Sequence, residues 1–189
     1  MNYVMEAKVI EEAGYDAALQ GLGLNKKQTK DMTPVAKKLC DKDGGHNKFL
    51  EAIYVWIEVK APRYWWQEAD TYRISSKQSE ASVPYILNEI ETMPVTNFFS
   101  MFEEGSLTRE IYLLLKHVNK IEDKQARLVS TKQLLPEGFL QKRMWCMNYK
   151  TLRNIIIQRR THSLPHWRKF ISDVLQQVKH PELLPGLEK

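Results

Sequence analysis

The chain has 189 residues, 43% of them hydrophobic, and its 28 basic against 23 acidic residues give a formal charge of +5. That length suits one domain able to bury about 70% of its unfolded surface, so residues 1–189 are expected to form a single domain without covalent staples. Two distant cysteines, Cys40 and Cys146, exclude a disulfide framework and a thiolate zinc site, while the mild basic excess fits an anionic ligand such as a nucleotide and is too small to signal DNA binding.

The first residues, MNYVMEAKVIEEAG, lack the apolar run of a signal peptide. No stretch approaches the ~20 apolar residues of a membrane span, so a cytoplasmic protein is expected. Residues 3–10 fit a short strand, with Val4, Val9 and Ile10 as its apolar content. Gly14 to Leu22 fits a short helix ended by Gly21 and Gly23. Thr33-Pro34 caps and starts another helix, running to about Asp41, and Asp43-Gly44-Gly45 breaks it. Residues 52–60 give the best strand signal in the chain: Ile53, Val55, Ile57 and Val59 share one face, Tyr54, Trp56, Glu58 and Lys60 the other. Pro62 stands where a first helical residue would. Trp65, Ala69 and Tyr72 follow at helical spacing, with Arg63, Gln67 and Asp70 on another side.

The Ser-rich residues 74–83 read as loop. The second half reads as helices over roughly 84–104, 107–118, 120–133, 137–161 and 165–179, bounded by Gly105, Pro136 and Pro165. The tail HPELLPGLEK reads as a loose terminus. One small sheet covered by many helices follows, an α+β fold.

Four groups of residues carry possible chemistry, each with a plainer alternative. His46 and Glu51 sit at the mouth of the 52–60 strand, where an imidazole and a carboxylate bind a polar ligand or orient each other. The plainer alternative is a turn residue and a solvated Glu, which residue type alone favours, since a lone His and Glu seldom carry function. Tyr72-Arg73 with Ser75, Ser76, Ser79 and Ser82 offers a guanidinium and hydroxyls to a phosphate, or is a solvated loop. In NYKTLRNIIIQRR, a helix places Asn148, Leu152, Ile155 and Arg159 on one face and Lys150 with Asn154 on the next. Amides and a guanidinium so placed suit a nucleotide or flavin, and an amphipathic helix with a basic outer face shows the same pattern. Last, RRTHSLPHWRK offers Trp167 among arginines to single-stranded nucleic acid, or buries Trp167 on a helix begun by Pro165. Five tryptophans are many for this length, and Trp65-Trp66 sets indoles on two sides of one helix, so core packing and a ligand or subunit contact both remain open. No catalytic triad, P-loop or metal-ligand spacing occurs, so no metal is expected.

Several of these motifs stand in the order found in one family. The region from Gly45 to about Val178 resembles the flavin-dependent thymidylate synthases. Gly45-His46 and Leu50-Glu51 match the family's Gly-His and Leu/Phe-Glu-His segments, with Ala52 replacing the second His. Val59-Lys60-Ala61-Pro62 is similar to the strand-to-helix junction of some members. The family's Arg-His-Arg becomes Thr71-Tyr72-Arg73, and its following Ser falls at Ala81, or at Ser82 with one residue inserted. Tyr85 then takes the Tyr place, and Val83-Pro84 replaces Gly-Arg. Further on, Leu135-Pro136, Lys132 at a position usually Arg, Asn148, Lys150, Asn154, Arg159 (or Arg160) and Pro165-His166-Trp167 fall in register. The match is one of order and spacing, with no motif intact.

The resemblance implies a small antiparallel sheet among many helices and a homotetramer with FAD sites built between subunits. It implies transfer of a methylene from methylenetetrahydrofolate to dUMP, giving dTMP, with NADPH reducing the flavin. His46, Glu51, Arg73, Asn148, Lys150 and Asn154 would hold the flavin; Lys132, Arg159, Arg73 and Ser82 would hold dUMP or a related pyrimidine nucleotide. Arg159 and Ser82 would serve catalysis. Ala52, Thr71, Tyr72 and Val83-Pro84 support the alternative of a catalytically altered or inactive relative that still binds flavin or a pyrimidine nucleotide. Nucleic acid and membrane are not expected as partners.

Overall fold

The alternation in residues 52–60 sits at the centre of the architecture. In the computed structural model, which describes residues 4–24, 31–79, 90, 92 and 107–186, it forms strand β2, Tyr54–Pro62. Val55, Ile57 and Val59 are wholly buried, and the opposite face is partly open. The period of two fixes this division, since a slip of one residue would exchange the faces. Strands β1 (Glu6–Ala13), β3 (Ser75–Ser79) and β4 (Leu140–Asn148) complete an antiparallel sheet in the order β1-β2-β4-β3. Seven α-helices accompany it among the described residues: α1 (Tyr15–Leu24), α2 (Thr33–Leu39), α3 (Arg63–Ala69), α4 (Leu107–Val118), α5 (Lys124–Leu134), α6 (Tyr149–Arg159) and α7 (Pro165–Leu175). None of them is long and apolar enough to cross a membrane.

Several expectations change. The 137–161 segment is not one helix but strand β4 followed by α6. Gln, Lys, Arg and Met favour a helix locally, and pairing of Trp145 and Met147 into a sheet overrides that preference. The Ser-rich loop contains β3, a polar strand last in the sheet order, where Lys77 and serines are tolerated because, among the described residues, one side meets no further strand. Gly21 and Gly23 lie within α1 instead of ending it. Thr33 is the first residue of α2, and Asp31 accepts its backbone N–H at 2.9 Å. The tail is not loose up to Leu184: a 3-10 turn at Pro181–Leu183 buries Leu183 and Leu184. The expected helix 84–104 lies outside the described residues except at 90 and 92.

The chain divides into two compact units. One comprises Met1–Met5, Lys60–Thr71 and Ser79–Arg143, the other Glu6–Val59, Tyr72–Gln78 and Met144–Lys189. In the first, α4 packs on α5 around buried Ile90, Leu115, Leu135 and Phe139. Asp123 caps α5 by accepting the N–H of Ala126. Both indoles of α3 are buried, Trp66 donating to the carbonyl of Gln141 at 3.1 Å and lying under the Arg143 guanidinium. The tryptophan pair is therefore core.

In the second unit α7 packs on β1, and Trp167, Phe170, Ile171 and Val174 are wholly buried. Trp145 and Phe170 pack with ring centroids 5.6 Å apart. Gly14 links β1 to α1 at φ +92°, where a Cβ would sit 2.1 Å from the carbonyl oxygen of Ala52. Both the sign of φ and the close approach demand glycine. This unit holds nearly all the described residues of the site.

Candidate functional site

Helix α6 is the backbone of the site. Asn148 caps it, its side-chain oxygen accepting the N–H of Thr151 at 2.9 Å, and the Tyr149 N–H bonds the carbonyl of Ile53 at 2.8 Å. The cap contributes about 1 kcal/mol and fixes where the first turn points. Leu152, Ile155 and Ile156 are wholly buried, so the outward face carries Lys150 and Asn154 one turn apart. This is the division expected from spacing alone.

Lys150 Nζ meets Glu51 Oε1 at 2.5 Å, with side chains 32% and 50% exposed. An ion pair this open contributes at most about 1 kcal/mol. It is too weak to be the reason for either residue's place. Glu51 belongs to the 3-10 turn Lys48–Ala52, which packs against α6 on one side and α1 on the other. On the α1 side the turn borders a groove of about 510 Å³, lined by Ala18, Leu22, Leu39, His46, Lys48 and Phe49. Exposed His46 and Lys48 form its polar rim. The structure thus brings Glu51, Lys150 and Asn154 onto α6 and its neighbouring turn, with His46 at the groove across that turn.

At the other end of α6, Arg159 Nε donates to the Tyr72 hydroxyl at 2.8 Å, and that hydroxyl donates to Gln158 Oε1 at 3.0 Å. The guanidinium carbon lies 4.8 Å from the ring centre of Trp167 and 5.6 Å from that of Tyr72. Each contact of this kind contributes about 0.5–2 kcal/mol, so the group is held against two rings. Arg73 is exposed beside Tyr72. Thr151 Oγ1 donates to the carbonyl of Ile74 at 3.3 Å, tying the loop after Arg73 to the first turn of α6. Lys132 is exposed on α5 in the first unit. Ser82, Val83, Pro84 and Tyr85 lie outside the described residues.

Trp167 is wholly buried and walls Arg159, so it offers no stacking platform to a nucleic acid base. Two residues the sequence did not single out join the site. Gln158 accepts the Tyr72 hydroxyl, and Lys77 reaches the Tyr72 carbonyl at 3.4 Å while lying over Trp145. Only the altered Arg-His-Arg segment hinted at Tyr72, and nothing in the spacing pointed to Gln158. Two buried groups nearby titrate abnormally. Burial, with the hydroxyl bonded to Glu12, pushes the Tyr149 phenol far up, so it stays a neutral donor. Burial pushes the His166 imidazole down, keeping it neutral inside α7.

Helix α6 thus carries Lys150 and Asn154 outward and holds Arg159 at its far end, beside an apolar groove rimmed by His46 and Lys48, on an α+β scaffold. The chain matches the family model described as thymidylate synthase complementing protein over residues 4–181. It belongs to that family, the flavin-dependent thymidylate synthases, which are methyltransferases. Its fold is also that of thymidylate synthase X (ThyX) from Helicobacter pylori. One structure of that protein, with FAD and dUMP, gives a TM-score of 0.80 at 17% identity, covering 98% of this chain and 100% of the other. A second, also complexed with FAD and dUMP, gives 0.77 at 17% identity, covering 97% and 100%. A comparison with the curated proteins gives no match.

Proposed function

We propose that this chain, acting as a single domain over 1–189 in a cytoplasmic homotetramer, methylates dUMP to dTMP with FAD, methylenetetrahydrofolate and NADPH. The observation that carries the reading is the family match over residues 4–181, joined to the arrangement of α6. The donor set fits FAD: an ammonium for phosphate, amides for polar ring edges, and an apolar groove with an imidazole at its rim. Lys150, Asn154, His46, Glu51, Arg73 and the amide nitrogen of Asn148 would hold the cofactor. The chemistry that FAD supplies when bound is electron transfer and one-carbon relay to the pyrimidine.

The protein's own part is binding, orientation and charge. Arg159, with Arg73 and Lys132, would hold the nucleotide's anionic groups and favour the electron-rich form of the uracil ring. Ser82 would assist at the nucleotide. Tyr72 in place of a histidine leaves this end of the site with a neutral hydroxyl, which favours a second reading: a relative that binds flavin and pyrimidine nucleotide but turns over slowly or not at all. Loss of a single donor at such a site costs about 100–1,000-fold in rate.

The test is the visible absorbance spectrum of purified protein after incubation with FAD and desalting. Retained flavin bands, followed by dUMP-dependent formation of dTMP, are expected. Retained flavin without turnover selects the second reading. Folded protein that retains no flavin overturns both.

A further inference from the structure

We propose that Tyr72 is a positioning residue for nucleotide recognition: its hydroxyl and ring, with Trp167, fix the plane of the Arg159 guanidinium before the nucleotide arrives. This rests on the reading of Arg159 as a nucleotide contact.

The geometry is specific. A phenolic oxygen both accepts and donates, and here each capacity is used. It accepts from Arg159 Nε at 2.8 Å and donates to Gln158 Oε1 at 3.0 Å. A carboxylate at this position would bind the guanidinium more tightly but would also oppose an anionic ligand. A histidine would supply one donor and one acceptor only when neutral, and would repel Arg159 when protonated. A tyrosine hydroxyl holds Arg159 without charge of either sign.

Tyr72 is itself well anchored. Ser75 Oγ donates to its carbonyl at 2.7 Å and Lys77 Nζ does so at 3.4 Å. Its ring meets Trp167 edge-on with centroids 6.1 Å apart, and Trp167 is locked edge-on to Phe170 at 6.1 Å. Bonding through Nε fixes the guanidinium plane and therefore the direction of its Nη edge, the edge that forks onto phosphate or paired carbonyl acceptors. An unrestrained arginine loses substantial rotamer freedom on binding, and a preset one loses less.

The test is dUMP binding at equilibrium to the full-length, FAD-incubated protein, with melting temperature and flavin retention recorded for each variant. Tyr72→Phe keeps the ring and removes the hydroxyl. It is expected to weaken dUMP about tenfold, with flavin retention unchanged. Arg159→Ala is expected to weaken dUMP further, and the Tyr72→Phe/Arg159→Ala double variant to bind no worse than Arg159→Ala alone. Where Arg159→Ala does not fold, Arg159→Lys, which lacks Nε, replaces it in the cycle. Tyr72→His is expected to lose affinity more steeply than the parent as pH falls through about 6.5, the parent retaining only the dependence set by the second ionisation of the dUMP phosphate. A Tyr72→Phe protein with parental dUMP affinity overturns the proposal while leaving Arg159 as a nucleotide contact. So does a Tyr72→Phe effect that persists in full without Arg159, since the hydroxyl then acts by another route. An Arg159→Ala protein with undiminished dUMP affinity overturns the nucleotide reading itself, and this inference with it.

Discussion

A guanidinium at the end of a surface helix is ordinarily mobile, and Arg159 differs because Tyr72 and Trp167 confine it. Arg168 is the natural control, since it is exposed on α7 in the same basic stretch. Arg159→Ala should weaken dUMP binding about a hundredfold and Arg168→Ala less than twofold, as titration of both variants would read. Equal effects would remove Arg159 from the site. Asn148 separates in a similar way into a structural and a ligand role. Asn148→Asp keeps the cap oxygen and loses the amide donor, so it should melt near the parent but lose flavin on desalting; Asn148→Ala should also lose about 1 kcal/mol of stability by chemical denaturation. The helix residues were legible in the sequence because Lys150 and Asn154, one turn apart, must share a face once α6 forms. The partnership of Arg159 with Tyr72 was not, because it spans 87 residues and nothing local encodes it.

Elements were legible where period and burial agreed. Strand β2 shows a strict alternation, and burial of Val55, Ile57 and Val59 follows from it. β4 was hidden because its helix-favouring residues pair into the sheet, and β3 because an edge strand of serines carries no apolar period. Junctions carry sharper predictions than strands. Gly14→Ala places a methyl group against the Ala52 carbonyl at a positive φ, so it should destabilise by more than about 3 kcal/mol, read from denaturant midpoints. Helix α7 carries a titration. Burial lowers the folded-state pKa of His166 below 6.5, so the unfolded chain binds more protons just below that pH. Stability from this residue is therefore full above about 6.5 and declines as pH falls towards the lower folded value. His166→Gln, which removes the titrating group and keeps a polar side chain of similar size, should flatten the fall in melting temperature between about pH 7.5 and 5.5. An unchanged slope would place the acid sensitivity elsewhere.

At the scale of the molecule, the family match spans residues 4–181 and the fold match nearly the whole chain, so the order of the motifs carried further than their identity. The order of elements along the chain is what a fold preserves, while single side chains can change within it. The same reasoning bears on assembly. If flavin sites are built between subunits, cofactor retention and oligomer mass are linked quantities: whatever binds only the assembled form stabilises it by mass action. Light scattering should give about four times the 22.2 kDa chain mass at micromolar concentration. On dilution, flavin should be released in step with the loss of mass, and added FAD should shift that transition to lower protein concentration. A tetramer whose flavin occupancy ignores dilution-driven dissociation would mean that each chain holds its cofactor alone. A monomer that retains flavin would mean the same, and would confine the cofactor to α6, the Lys48–Ala52 turn and the groove beside it.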